Sequence, residues 1–294
     1  MTWSRRERVI AALDGEPVDR LPLGEIGLGD GLVRAAVGLP EGQPVPWAAR
    51  RAVLDRLGHD VVTVDLDAAA PEEGLFWIGQ WRGEDDRFVV ARLQGLWATS
   101  SRVPGLRAAR SFREEVYADI TLELERMMSL AASAGADAVL LDDAIPGLAD
   151  CPWLRELYVP LLTLLIRSAH QHGIFCFLRV AREVPALLSE VTVTGLDGLQ
   201  GLCVGDHIGL ADASRILDRP FCVWGGIDSS WLRMPGSERW VVDAVGQWLR
   251  ARGEVAVILG TRDGLGDEIA LADLMALEAI EAAILALHAE SSAS

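Results

Sequence analysis

Short, almost wholly apolar segments alternate along this sequence with longer amphipathic ones. Three examples of the short kind are "VVTV" at 61–64, "AVLL" at 138–141 and "VAVIL" at 255–259. Parallel strands whose two faces are both covered by helices have this nearly continuous apolar character. Seven or eight strand–helix units in a chain of 294 residues favour a (β/α)8 TIM barrel. The alternative, a doubly wound sheet, lacks its usual mark, because no GxGxxG follows the first strand.

The same pattern predicts the remaining elements. A helix at 3–14, capped by Ser4, forms an N-terminal helical extension before the first strand. Aromatic and β-branched residues on both sides of "GEDD" predict a β-hairpin excursion over 76–98. The other helices are expected at 47–58, 112–134, 152–172, 183–194, 210–217, 237–252 and 268–289. No low-complexity linker interrupts the sequence, which predicts a single domain over residues 1–294.

Composition excludes several classes of function. The net charge of −16 argues against a nucleic-acid partner, because phosphate neutralisation needs a basic face. All 27 residues counted as lysine or arginine are arginine, so Schiff-base chemistry and a Walker-type nucleotide site are both excluded. No apolar run approaches the length of a membrane span, and the start "MTWSRRERVIAAL" lacks the features of a signal peptide. We therefore expect a cytoplasmic protein that acts on a small molecule.

Polar residues at the carboxyl ends of the strands are the candidates for a site, because TIM barrels build their active sites there. We expect catalytic roles for four of them: Asp142, Asp143, Arg179 and Asp228. We expect substrate contacts from a second set: Glu25, Asp65, Asp67, Gln200, His207, Trp224, Gly225, Gly226, Thr261 and Asp263. A polar residue in such a place can instead cap the following helix, and this alternative stays open for each of them.

Three of these positions have a specific chemical interpretation. Arg179 ends the apolar strand "FCFLR" and can present a guanidinium fork to an anionic substrate, or can pair with Asp142 or Asp143. The two glycines of "VWGGID" permit close approach of the backbone to a ligand, or a turn with positive φ. Asp228 after them can cap the next helix or point into the mouth of the barrel.

The histidines and cysteines do not form a metal site. Of the five histidines, only His207 is close to the end of a predicted strand, and no His-x-Cys arrangement exists. We therefore predict no metal ligands and no zinc.

Several segments, in order, resemble the uroporphyrinogen decarboxylase-like superfamily, especially its corrinoid-dependent methyltransferase branch. They are "RRERVIAALDGEPVDRLPLGEIG", "GADAVLLDDAI", "YVPLLTLLIRSAHQHG" and "FCVWGGIDSSWLRMPGSERWVVDAVGQWL". The resemblance spans about residues 4–285 and implies a TIM barrel with its cleft at the strand ends. It also implies a corrinoid (cobalamin) as a carried methyl donor, a corrinoid protein as partner, and a homodimer like that of the decarboxylases.

The departures from this resemblance shape the expected chemistry. The methyltransferase branch places a His-x-Cys pair of zinc ligands where this sequence has Arg179 and Ala181, and its third zinc cysteine is absent from "ILGTRDGLGD". The N-terminal arginines of true decarboxylases are reduced to Arg34. These departures leave three alternative functions open. The chain is a methyltransferase-like enzyme that has lost the zinc site, a decarboxylase of a porphyrinogen or another carboxylated aromatic, or a non-catalytic ligand-binding paralogue.

Overall fold

The apolar segments form the strands of one parallel sheet. The computed structural model describes residues 3–100, 102, 110–143, 154–180, 194–206, 221–234 and 236–292. Within these residues the strands are β1 (Val61–Asp65), β2 (Phe88–Gln94), β3 (Ala138–Asp142), β4 (Phe175–Arg179), β5 (Gly198–Cys203), β6 (Cys222–Ile227) and β7 (Ala256–Thr261). They are hydrogen-bonded in sequence order from β1 to β7. This arrangement confirms the TIM-barrel-like α/β fold at the level of a parallel, helix-covered sheet.

The helices alternate with these strands. In the described residues they are α1 (Arg5–Leu13), α2 (Asp30–Val37), α3 (Trp47–Leu57), α4 (Pro71–Glu84), α5 (Leu96–Ser100), α6 (Arg110–Ala134), α7 (Val159–Gln171), α8 (Ser229–Leu232), α9 (Glu238–Arg250) and α10 (Leu271–Ser292). A π-helical turn, Leu154–Tyr158, precedes α7. Ser4 caps α1 in a capping box with Glu7, as its position predicts. The helices predicted at 183–194 and 210–217 lie almost entirely outside the described residues. None of the described helices is both long and apolar enough to span a membrane.

The predicted β-hairpin over 76–98 is wrong. The first half of that segment belongs to α4, which begins with Pro71 and carries Glu72 and Glu73 in its first turn. Proline at the first helical position and acidic residues near a helix N-terminus both stabilise a helix. The second half is β2, which pairs in parallel with β3 and not with a hairpin partner. The glycines and aromatic residues of this segment had suggested a turn between two strands.

The chain divides into two compact units, each of them discontinuous in sequence. Unit 1 comprises Met1–Val62, Gly201–Ser214 and Cys222–Ser294, and unit 2 comprises Thr63–Gln200 and Arg215–Phe221. In unit 1, Leu23 forms a parallel bridge with Leu259 of β7, and Gly24 forms one with Val61 at the start of β1. The segment around these two residues thus has a neighbour on each side, as an eighth barrel strand would. Three helices precede β1, but the single domain and the helical extension stay predictions.

Candidate active site

Charged side chains line the carboxyl ends of the first four strands, in unit 2. Asp142 of β3 is in register with Gln94 of β2 and with Arg179 of β4. Arg92 lies two residues before Gln94, so its side chain projects from the same face of the sheet. With Asp65 at the end of β1, these residues place an acid, a base, an acid and a base on four successive strands. We call Asp65, Arg92, Asp142 and Arg179 the arginine–aspartate row.

The charges of this row are joined by short contacts. Arg179 Nη1 lies 3.1 Å from Asp142 Oδ1 and 3.2 Å from Oδ2, which is the ion pair that the sequence left open. Arg92 Nε lies 2.7 Å from Asp65 Oδ1 and 3.8 Å from Asp142 Oδ2. Asp142 therefore accepts hydrogen bonds from Arg179 and lies within ion-pair distance of Arg92, between the two guanidinium groups.

Exposure decides which of these contacts a ligand could replace. The side chain of Asp65 is 73% exposed, whereas those of Arg92 and Arg179 are 24% and 23% exposed and that of Asp142 is 11% exposed. An ion pair with so exposed a partner contributes about 0–1 kcal/mol. A substrate carboxylate could therefore displace Asp65 from Arg92 at little cost. Asp142 would keep the two guanidinium groups in place during this exchange.

Asp143, the neighbour of Asp142, is wholly buried and holds a local structure together. Its Oδ1 accepts a hydrogen bond from the N–H of Ala98 (2.8 Å), and its Oδ2 accepts one from the hydroxyl of Tyr158 (2.7 Å). Burial raises the pKa of Asp143 to about 6, although both of these donors act to lower it. A Cβ at Gly95 would lie 2.2 Å from Asp143 Cγ, so only glycine allows the carboxylate this place beside α5. Asp143 thus positions α5, and the catalytic role expected for it stays a prediction.

In unit 1, Arg262 connects the ends of β5, β6 and β7. Its Nη2 donates to both carboxylate oxygens of Asp206 at 2.5 and 2.6 Å, its Nη1 donates to Asp228 at 3.1 Å, and its Nε donates to the carbonyl of Gly201 at 3.0 Å. Arg262 is only 6% exposed. Its guanidinium therefore binds acceptors within the protein. We call Arg262, Asp206 and Asp228 the Arg262 ion cluster.

Asp228 has the capping role that its position allowed. Its Oδ1 accepts hydrogen bonds from the N–H and the hydroxyl of Ser230, at 3.0 and 2.6 Å, and so caps the short helix α8. Its other carboxylate oxygen accepts a hydrogen bond from Arg262. Both oxygens are thus engaged with protein groups, and the catalytic role expected for Asp228 stays a prediction.

Glu25 belongs to a buried cluster that also contains His59 and Glu281. Glu25 accepts hydrogen bonds from the backbone N–H of Thr261 at 2.7 Å and from the Thr261 hydroxyl. His59 Nε2 lies 3.3 Å from Glu281 Oε1, and all four residues are buried. Burial raises the pKa of Glu25 to about 7, although His59 and Thr261 act to lower it. Burial alone would lower the pKa of His59, but Glu281, Glu25 and Asp60 raise it above its ordinary value.

This cluster should make the stability of the protein depend on pH. The folded state holds a proton on Glu25 between its ordinary pKa of 4.5 and about 7, where the unfolded state has released it. Since the folded state binds more protons in this window, the free energy of unfolding should fall as the pH rises through it. We expect Glu25→Gln to remove on the order of 1–2 kcal/mol of this fall, measured by urea denaturation at several pH values.

A control variant and a narrower pH interval make this test specific to the Glu25 cluster. Replacement of the exposed Glu41 by Gln should leave the pH profile unchanged. Asp143 contributes a fall of the same sign, but mainly below its pKa of about 6. The interval from about pH 6 to pH 7 therefore reports chiefly on the Glu25 cluster. An identical profile for wild type and Glu25→Gln in that interval would contradict the assignment.

The residues of "VWGG" serve packing in unit 1. The indole N–H of Trp224 donates to the carbonyl of Gly24 at 2.8 Å, and Trp224 is fully buried. A Cβ at Gly225 would lie 2.3 Å from the carbonyl oxygen of Leu202 on β5. A Cβ at Gly226 would lie 3.1 Å from Leu259 and from the Trp248 ring. The close approach that these glycines permit is therefore to neighbouring elements, and ligand contact by them stays a prediction.

The other predicted residues differ in accessibility. Asp67 and Asp263 are exposed, and Asp67 accepts a hydrogen bond from the N–H of Ala69 at 2.9 Å. Gln200 is buried beside Arg179 on β5, with which it is in register. His207 lies outside the described residues. Sequence reasoning missed Arg92, Asp206 and His59, of which Arg92 had one usable signal, a base two residues before the end of the apolar strand "FVVARLQ".

The zinc implied by the methyltransferase branch does not fit these residues. Arg179, where the branch has a histidine ligand, donates to Asp142. In the part of the chain that the structure describes, no three residues among His, Cys, Asp and Glu are grouped to hold a metal ion. Burial raises the pKa of Cys203, near the Arg262 ion cluster, to about 12, so this thiol keeps its proton at neutral pH. The described residues therefore give zinc no role in the chemistry of this site.

Comparison with solved structures agrees with the fold. A methyltransferase from Methanosarcina mazei matches with a TM-score of 0.75 over 100% of both chains, at 16% identity. A B12-independent methionine synthase from Shewanella sp. W3-18-1, in complex with selenomethionine, matches with a TM-score of 0.56 over 75% of this chain and 68% of its own, at 12% identity. A sugar phosphate isomerase/epimerase from Parabacteroides distasonis matches with a TM-score of 0.51 over 87% of this chain and 96% of its own, at 11% identity. No family model and no curated protein sequence matches the chain. At these identities the likeness establishes a TIM-barrel-like fold and no activity.

Proposed function

We propose that this chain is a member of the uroporphyrinogen decarboxylase-like superfamily, in its methyltransferase-like branch. We propose that it transfers a methyl group from a small donor that carries a carboxylate, without zinc. A Co(I) corrinoid, carried by a partner protein, is the proposed acceptor substrate. The observation that carries this proposal is the arginine–aspartate row, two partly exposed guanidinium groups held on either side of Asp142 at strand ends. The structural likeness to a methyltransferase over the whole chain supports it.

The resemblance implies a corrinoid that donates the methyl group, and we propose the opposite direction here because the zinc ligands are missing. In the branch that this sequence resembles, zinc activates a thiol that accepts the methyl group. A Co(I) acceptor is already a strong nucleophile and needs no such activation. Its electron pair forms the bond to the methyl carbon, and the pair of the broken bond leaves with the donor's heteroatom, which takes a proton from solvent. The protein then has to orient the donor, and orientation alone contributes a large part of many rate enhancements.

The arginine–aspartate row provides that orientation. Arg92 and Arg179 can each donate to a substrate carboxylate, and hydrogen bonds between such charged groups are roughly twice as strong as neutral ones. Asp142 holds the two guanidinium groups so that little side-chain entropy is lost when the donor binds. This arrangement would favour donors with a carboxylate over uncharged analogues of the same shape.

The test is a turnover assay with matched donor pairs. The protein is incubated with cob(I)alamin and one donor at a time. The donors are methoxybenzoates and N-methylated amino acids, and each is compared with its uncharged amide analogue. Methylcobalamin formation is followed by absorbance. Formation with carboxylate donors only is the expected result.

The same guanidinium pair favours one further candidate. A decarboxylase of a carboxylated aromatic or a porphyrinogen would also have to hold a carboxylate near a group that exchanges protons. Release of CO2 from uroporphyrinogen or from a benzoate, without methyl transfer, would replace the first proposal with this one. Binding of these compounds without any turnover would identify a ligand-binding paralogue.

Substitution of the two arginines tests the role of the row. We expect Arg92→Met and Arg179→Met each to lower kcat/KM for the carboxylate donor by about 10- to 100-fold, and to change it little for an uncharged donor. Arg126→Met, which removes an exposed base from α6, is the control. Equal losses for charged and uncharged donors would show that the arginines act only through the fold.

A further inference from the structure

A small cavity lies between α9 and α10 in unit 1. Its volume is about 190 Å³, and it is partly open to solvent. Arg252, at its edge, precedes β7 by four residues, so the cavity lies toward the amino end of that strand, opposite to Thr261. Neither the arginine–aspartate row nor the Arg262 ion cluster contributes to it.

Part of the lining of this cavity is basic. Arg250, Arg252 and His288 line it, and none of the described residues that line it is acidic. This is unusual in a chain with 43 acidic and 27 basic residues. Arg252 Nη2 lies 3.2 Å from His288 Nε2. A guanidinium can only donate, so the imidazole accepts through Nε2 and is neutral.

Arg252 is the desolvated base of this cavity. Burial lowers the pKa of Arg252 below its ordinary value, and among the described residues no carboxylate raises it. Burial and the charge of Arg252 together lower the pKa of His288. An anion placed in the cavity would offset this cost, because an opposite charge at close range favours the charged form of both groups.

The rest of the lining is apolar. Leu249, Ile284 and Leu287 line it, and Gly246 of α9 leaves space where any other residue would place a side chain. An apolar cavity of about 150 Å³ in another protein binds benzene, so this one is large enough for a ring or a branched alkyl group. Inorganic phosphate would use only the basic part. A ligand with both a carboxylate and a compact apolar body would use both parts.

We propose that this cavity binds a small carboxylate whose body is a single aromatic ring or a short branched chain. The carboxylate contacts Arg252 and Arg250, and the apolar body packs on Leu249 and Ile284. This site goes beyond the proposed methyl transfer and does not depend on it.

Benzoate is the probe, and its binding is measured by isothermal titration calorimetry. Because the arginine–aspartate row can also bind a carboxylate, the titrations use the full chain with Arg92→Met and Arg179→Met, which we call the reference variant, and the substitutions below are added to it. We expect saturable binding that weakens about tenfold in Arg252→Met, which keeps the apolar stem and loses a charge-assisted hydrogen bond. We expect Gly246→Leu to abolish binding. A Cβ at Gly246 would lie 3.7 Å from Leu287 and from Arg250, which is ordinary van der Waals contact, so the backbone accepts a side chain that begins at the cavity wall. Leucine is also a better helix former than glycine, so the fold should be retained.

Two matched controls separate the site from general effects. Arg239→Met removes an exposed charge from the same helix, and Gly83→Leu adds the same side chain to α4, where a Cβ meets nothing within 4 Å. Both should bind benzoate like the reference variant. Because that variant lacks both arginines of the arginine–aspartate row, saturable binding to it separates the cavity from the row.

Three results with benzoate would overturn the proposal. They are the absence of saturable binding to the reference variant, equal binding with and without Arg252→Met, and unchanged binding with Gly246→Leu. Phosphate binding as tight as that of benzoate would also overturn it, because the apolar part would then contribute nothing.

Discussion

Replacement of Arg262 by methionine should lower the free energy of unfolding by about 3–5 kcal/mol. Methionine keeps most of the volume of the side chain but leaves Asp206 and the buried Asp228, whose side chains are 12% and 10% exposed, without their shared cation. It also leaves the carbonyl of Gly201 without its side-chain donor. Breaking a buried ion pair is costly because the remaining charge stays desolvated, and here two charges remain. Chemical denaturation followed by circular dichroism measures the loss.

Arg126→Met is the control for this substitution. Arg126 pairs with Glu123 on the surface of α6, where both side chains are about half exposed (50% and 43%). Its removal should change stability by less than about 0.5 kcal/mol. Similar losses for both variants would mean that the Arg262 cluster is as weak as a surface pair, and that Arg262 is available to bind a ligand.

Replacement of Asp60 by alanine should have an effect of the same size, about 3–5 kcal/mol. Asp60 is fully buried and accepts hydrogen bonds from Arg8 at 2.6 Å, from Arg20 at 2.7 and 2.8 Å, and from the N–H of Leu23 at 2.9 Å. The last of these holds the segment that bridges β7 and the start of β1. Its loss should therefore weaken the pairing on both sides of Leu23 and Gly24.

Asp55→Ala provides the comparison for Asp60. Asp55 pairs with Arg5 at 2.9 Å on an exposed surface, where such a pair contributes about 0–1 kcal/mol. Hydrogen exchange of the amides around Leu23 gives an independent readout. Faster exchange there in Asp60→Ala, but not in Asp55→Ala, is the expected pattern. Unchanged exchange with a lower global stability would show that Asp60 acts elsewhere.

The strands were predictable because burial on both faces requires a continuous apolar run. Every residue of the segments 138–142 and 222–227 is buried and all but Asp142 are apolar or glycine, and the structure confirms the two segments as β3 and β6. Helix α1 was predictable for a local reason as well, since its capping box involves residues three positions apart. These features depend only on neighbours in sequence.

Two errors in the predicted fold arose where neighbours in sequence did not decide the structure. The helix α2 is only eight residues long and follows a glycine. This stretch contains too few turns for its apolar periodicity to be detected in the sequence. The segment 76–98 contains both helix-forming acids and turn-forming glycines, and its local preferences do not decide between them. Parallel pairing of β2 with β3 resolved it, and that pairing joins residues almost fifty positions apart.

For the candidate site, the sequence determined which groups stand at the strand ends, because strand ends follow from where the apolar runs stop. It did not determine what those groups contact. Arg262 and Asp206 are 56 residues apart, Arg179 and Asp142 are 37 apart, and His59 and Glu281 are 222 apart. Whether a charged group at a strand end is committed to a buried partner or stays accessible depends on the neighbouring strands and on the solvent that they exclude. Only the tertiary structure decided that Arg262 is committed and that Arg92 and Arg179 remain partly exposed, since desolvation and ion pairing act through space and not along the chain.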